Sequence, residues 1–238
     1  MTTALIKSRT QELVRRMEQF ASPAFKKQLQ QRQGISPQNA LGTPITTLRK
    51  ILKALPRPDQ ALADALWDTQ IYEARLMASM LADPMTMTRD QLHPWVREID
   101  TWGLCDACAL NLFAHVKKPF TLIERWIKQE KQLTRRAGFA TLTVLAMPRT
   151  KTADKDLIKM LPLIKTHACD PRPLVYKAVN GALRMIGKKN PHLTPHAMRC
   201  AQEILDLYAD NRSAVWVAKN ALWKLNTPQV KKMISRRK

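Results

Sequence analysis

The sequence predicts an all-α fold built from stacked helical pairs, on three observations. Apolar residues recur at i, i+3, i+4 and i+7 through segments of roughly 12 to 18 residues, the pattern of amphipathic helices. Only 6 of the 238 residues are glycine, against 11 methionines, which disfavours a sheet with tight turns. Strand-like alternation is nearly absent, and hydrophobic residues make up 45% of the chain, enough for a globular core.

The elements follow in order. "MTTALIKSRTQELVRRMEQF" alternates apolar and charged residues at helical spacing and lacks the apolar core of a secretion signal. Prolines then punctuate the chain at Pro44, Pro56, Pro58, Pro84, Pro94, Pro119, Pro148, Pro162, Pro171, Pro191, Pro195 and Pro228. Several stand where a helix begins, behind Thr- or Asp-type caps, as in "GTPITTLRKILKAL" and "LTPHAMRCAQEIL". About twelve helices fit between these stops. The second helix of each pair aligns as "EARLMASMLA", "LCDACALNLF", "TRRAGFATLT", "VYKAVNGALR" and "WVAKNALWKL". Each carries a polar residue, then small residues that let neighbouring helices approach, then an apolar stripe. The polar positions are Arg75, Asp106, Arg136, Lys177 and Lys219, at spacings of 31, 30, 41 and 42 residues. Those spacings have the size of a helical-hairpin repeat. The reading is a HEAT-like helical repeat solenoid, an α-α superhelix, spanning residues 1–238 as a single domain of about six helical pairs. Equivalent residues of successive inner helices line the concave face of such a solenoid. Here that face becomes a basic groove holding four cations and one acid, Asp106.

Charge bounds the partners. Lys and Arg number 40 against 19 Asp and Glu, a net charge of +21. An excess of that size points to a polyanion, nucleic acid before an anionic membrane surface. No apolar run approaches the roughly 20 residues needed to span a bilayer. A soluble, cytoplasmic, bacterial-type protein associated with the nucleoid through DNA is expected, acting as a monomer. Its four cysteines are then reduced thiols.

The stretch "DTWGLCDACALN" concentrates the candidate chemistry. Cys105 and Cys108 form a Cys-x-x-Cys, but zinc needs four ligands, and Cys169 and Cys200 supply no second pair. The βαβ setting of a thioredoxin-like pair is missing, so both thiols read as small packing residues. There is no phosphate loop and no nucleophile elbow. His192 and His196 flank Pro195 at a helix start rather than sharing a continuous face. No metal or other cofactor is implied. Trp102 and Asp106 remain, at i and i+4 on one helical face. A carboxylate on a groove meant for phosphates needs a reason, structural or catalytic. Nearby cations would keep it ionised. An ionised carboxylate about 4 Å from a positive centre is worth roughly 4 kcal/mol at an effective dielectric near 20. That is on the order of a thousandfold in rate if the charge develops only in the transition state.

At these residues the chain resembles the AlkD-like DNA alkylation repair enzymes, alkylpurine DNA glycosylases built from HEAT-like repeats. The resemblance runs from "LGTPITTLRKILK" through "YEARLMASMLADP", "WVREIDTWGLCDACALNLF" and "TRRAGFATL" to "YKAVNGALRMIGKKNP" and "AVWVAKNALWKL". It implies Trp102, Asp106 and Arg136 as the cleft residues around an N3- or N7-alkylated purine in double-stranded DNA. Such a base is already cationic, so its departure needs no strong general acid. Stabilising an oxocarbenium-like sugar and placing water remain, and a carboxylate and an indole face suit both. Family members are described as working from the backbone side without flipping the base. On this reading Arg75, Lys177 and Lys219 contact flanking phosphates, with Arg49 and Thr43 near the N-terminus. Two positions depart from the family pattern: Gly181 stands where a Trp is frequent, and Gly103 where an Asp is frequent after Trp102. Two other readings stay open, a non-catalytic binder of DNA or branched DNA and a protein-binding scaffold.

Overall fold

The computed structural model describes residues 2–236, and every regular element among them is helical. The chain divides into two compact units, 1–118 and 119–238. The first contains α1 (Thr3–Glu18), α2 (Pro23–Gln33), α3 (Ile45–Leu52), α4 (Gln60–Asp68), α5 (Tyr72–Leu81), α6 (Arg89–Glu98) and α7 (Trp102–Asn111). The second contains α8 (Pro119–Ile127), α9 (Gln132–Leu145), α10 (Asp154–Ile158), α11 (Leu161–His167), α12 (Pro173–Lys189), α13 (Leu193–Leu207), α14 (Arg212–Asn226) and α15 (Pro228–Ser235). About twelve helices were expected, and the described residues hold fifteen α-helices and two single-turn 3-10 helices. Short elements account for the difference. One example is the 154–167 stretch, which breaks at Met160 and resumes with Pro162 in the first turn of α11.

Local chemistry sets the boundaries. Thr88 and Gln91 form a capping box at α6. Thr101 caps α7 by accepting from Leu104 N at 3.2 Å, and Asn211 caps α14 through Ala214 N at 2.9 Å. Pro119, Pro173 and Pro228 open α8, α12 and α15, where a missing N–H costs nothing.

Within each unit the second helices of successive pairs touch in series: α5 on α7 in the first, α9 on α12 and α12 on α14 in the second. Small residues permit that approach, with Ala178 and Ala182 of α12 and Ala214, Ala218 and Ala221 of α14 all buried. Two devices tie the units internally. In the first, Trp67 and Trp95 stack at 4.1 Å and the Arg75 guanidinium lies 4.8 Å from the Trp67 ring. In the second, Asp170 accepts from Arg135 at 2.7 Å and from Arg172 Nε at 2.8 Å.

Candidate functional site

Trp102 is the first residue of α7, so the Thr101 cap fixes its backbone. Its indole Nε1 donates to Arg32 O at 3.3 Å, at the end of α2, and the residue remains 37% exposed. A partly exposed indole held at one edge has apolar surface left to pack against. Asp106 follows one turn later on the same helix and is half-buried. Behind both lie Cys105 and Cys108, fully buried and outside any disulfide. Burial pushes the Cys108 thiol well above its ordinary value, which suits packing rather than nucleophilic work. Among the described residues no group of three or more His, Cys, Asp or Glu is arranged to hold a metal ion.

Gly103 has a function that sequence alone does not reveal. A Cβ there would run into the Gln33 carboxamide and stand 2.8 Å from Tyr72 Oη. Those two groups share a hydrogen bond at 3.4 Å, so the glycine lets α2 and α5 close on the start of α7. Gly181 is different: a Cβ would meet only Thr143 Oγ1, at 3.6 Å, an ordinary contact.

Two expected phosphate contacts are corrected. Arg75 is 2% exposed and engaged: Nε donates to Trp67 O at 3.1 Å and Nη2 pairs with Glu98 at 3.0 Å. A guanidinium so enclosed cannot reach a phosphate. Its counterpart is Arg135, whose Nε donates to Gln129 O at 3.0 Å and whose Nη1 pairs with Asp170. Arg75 therefore belongs one residue out of register with Asp106 and Arg136. Thr43 is also buried, and its hydroxyl donates to Met17 O at 2.8 Å. The loop around it is gripped by Glu73, 0% exposed, which accepts from Leu41 N, Gly42 N and Thr43 N at 2.9, 2.7 and 3.1 Å. Gly42 adopts φ +91°, and a Cβ there would lie 2.6 Å from Ser22 O, so glycine is required.

The other candidates are accessible. In the second unit Arg136 is half-buried and donates to Leu174 O at 2.8 Å, while Lys177 and Lys219 are exposed. In the first unit Arg49 is exposed and lines a cleft of about 420 Å³ with Lys53, Arg57, Asn111 and His115. Three cations and no carboxylate line that cleft, so Lys53 and Arg57 stand beside Arg49 as accessible cations not among the expected site residues. Both stand in the "LRKILKALPRP" segment, where a cluster of cations was the available signal.

The "IGKKNP" run behaves structurally. Lys189 is 7% exposed and its Nζ donates to Thr150 O and Oγ1 at 2.9 Å each. Asn190 bridges Asp154 and the Leu193 amide at the start of α13.

Serial contact between second helices defines a HEAT-like helical-repeat protein. The model of the DNA alkylation repair enzyme family matches residues 10–224, and the chain belongs to that family. A solved structure is similar in fold, with a TM-score of 0.72 and 20% identity over 81% of this chain and 82% of that one. It is described as representing a new family of proteins related to the HEAT-like repeat DNA glycosylases, with affinity for branched DNA structures. No curated protein matches the chain.

Proposed function

We propose that the protein binds duplex DNA and removes cationic N3- or N7-alkylated purines by hydrolysing the N-glycosidic bond. The observation that carries the reading is the Trp102–Asp106 pair, one turn apart on a capped helix, with the indole held at its Nε1 and the residue partly exposed. Family membership supports it. The C1′–N bond breaks and its electron pair neutralises the base, which leaves uncharged. Water adds to C1′ and gives up its proton to Asp106 or to solvent. Asp106 stabilises the cationic sugar and positions that water, and Trp102 packs on the deoxyribose. Arg136 holds a phosphate of the bound DNA. Lys177, Lys219 and the Arg49–Lys53–Arg57 cleft take flanking phosphates, an electrostatic role that steers association and adds affinity.

Two observations favour a second reading, a non-catalytic binder of branched DNA. The frequent family Trp is replaced by Gly181, which removes an aromatic wall, and the similar solved structure is described as binding branched DNA. Duplex DNA bearing 7-methylguanine or 3-methyladenine separates the two. Base release is expected under the first reading, and tight binding without release supports the second. Space around Gly181 makes Gly181→Trp a further check. Restoring an aromatic wall is expected to raise release several-fold, and an unchanged rate counts against a cleft at that position.

A further inference from the structure

The second unit carries an exposed face of aromatic and cationic side chains, and its indoles have no part in the glycosylase reading. On α14, Arg212, Trp216, Lys219 and Trp223 are exposed and follow one another at spacings of four, three and four residues, a single helical stripe. Trp216 is 40% and Trp223 61% exposed, unusual for the largest apolar side chain. Trp216 meets the Tyr176 ring edge-on at 5.1 Å, and the Lys224 ammonium lies 4.1 Å from the centre of the Trp223 ring.

The face is rigidly mounted. Asn180, buried in α12, donates to Val217 O of α14 at 2.8 Å. Arg184 of α12 reaches the carboxamide oxygens of Asn180 and Asn220 at 3.3 and 3.4 Å. Its buried Nε has no hydrogen-bond partner among the described residues. Neither α12 nor α14 contains an Asp or Glu, and the chain has none after Asp210. Lys177 and Lys219 are exposed on the same two helices.

Two exposed indoles about 10 Å apart along a helix axis, with a lysine between them, match a chain of aromatic rings on a phosphate backbone. Duplex DNA hides its base faces inside the stack, so such indoles cannot stack on the bases of a paired helix. Unpaired bases offer a π-face each and tolerate any sequence. We propose that Trp216 and Trp223 form a stacking platform for unpaired nucleotides of a single-stranded DNA segment, with Lys177, Lys219 and Lys224 on its phosphates. The proposal rests on the DNA-binding reading above and adds a single-strand subsite to it.

Fluorescence anisotropy with an oligo-thymidine and with an undamaged duplex of equal length tests it, on the wild type and on Trp216→Ala/Trp223→Ala. Wild type is expected to bind both, with indole fluorescence quenched by the oligo-thymidine. The double variant should lose roughly tenfold or more in single-strand affinity while keeping duplex affinity within about twofold. The Trp216→Phe/Trp223→Phe variant should retain most single-strand affinity and lose most of the quenching, which excludes misfolding as the cause. Oligo-thymidine binding unaffected by the alanines overturns the platform, as does an equal loss for both DNAs. A wild type that binds duplex but no single strand overturns the platform alone, and one that binds neither overturns the DNA reading with it. A dimer that the alanine variant dissolves also overturns the platform, because the face then serves a second copy of the chain.

Discussion

Asp170 shows how one residue sets the conditions under which the second unit is stable. Burial alone would push its carboxyl up, but hydrogen bonds from the Arg172 side chain and backbone and from Arg135 outweigh that and hold it at about 2. A depressed folded value stabilises the protein above the ordinary value of 3.8, and the contribution vanishes as pH falls through about 2. Asp170→Asn is expected to cost on the order of 2 kcal/mol in urea unfolding at pH 7, with the gap closing towards pH 2. An equal gap at both pH values would contradict the ion-pair account. Arg75→Ala belongs to the same scale. It should lower stability by about 2 kcal/mol or more, through the lost Trp67 stacking and Glu98 pairing, and leave the salt dependence of DNA binding unchanged. Thiol labelling checks the burial pattern. Cys169 is half-buried and should react first with a thiol reagent, while Cys105, Cys108 and Cys200 wait for unfolding. Burial holds the Cys200 thiol up at about 12.

At the scale of elements, α7 is a short helix whose start is fixed from both sides. Thr101→Ala should cost about 1 kcal/mol and loosen Trp102, which an increased Trp102 solvent exposure would report. Gly103→Ala sets a gain in helix propensity against displacement of Gln33 and Tyr72. Both obstructing groups are tips of long side chains, so the net change should stay within about 1 kcal/mol. Most of this level was legible in the sequence, because caps, prolines and 3.6-residue periodicity act locally. The second-helix segments fall on α5, α7, α9, α12 and α14. The register of the polar column was legible only in part. Arg75 and Asp106 differ from a 30-residue step by one position, and one step around a helix turns a side chain by about 100°. That moves Arg75 from the solvent to the Trp67 stack. Thr43 failed for a related reason: "LGTP" looks like an exposed loop, but a buried carboxylate 30 residues later pulls its amides inward.

For the whole molecule, the net charge of +21 read from composition finds its outlets in each unit separately: the Arg49–Lys53–Arg57 cleft in the first, Lys177 and Lys219 in the second. Neutralising each accessible cation that meets a phosphate should reduce the slope of log K against log salt by about 0.9. Arg49→Ala, Lys177→Ala and Lys219→Ala are expected to do so, and a slope that none of them alters would remove these groups from the DNA contact.

In the proposed mechanism Asp106 stabilises a developing sugar cation. Single-turnover release of 7-methylguanine from duplex DNA tests it most directly, comparing wild type with Asp106→Asn at matched duplex affinity. Measurable release by wild type, slowed on the order of a thousandfold by the substitution, is the predicted result. Release at the wild-type rate by Asp106→Asn, or a wild type that binds the lesion and leaves it intact, would contradict the claim.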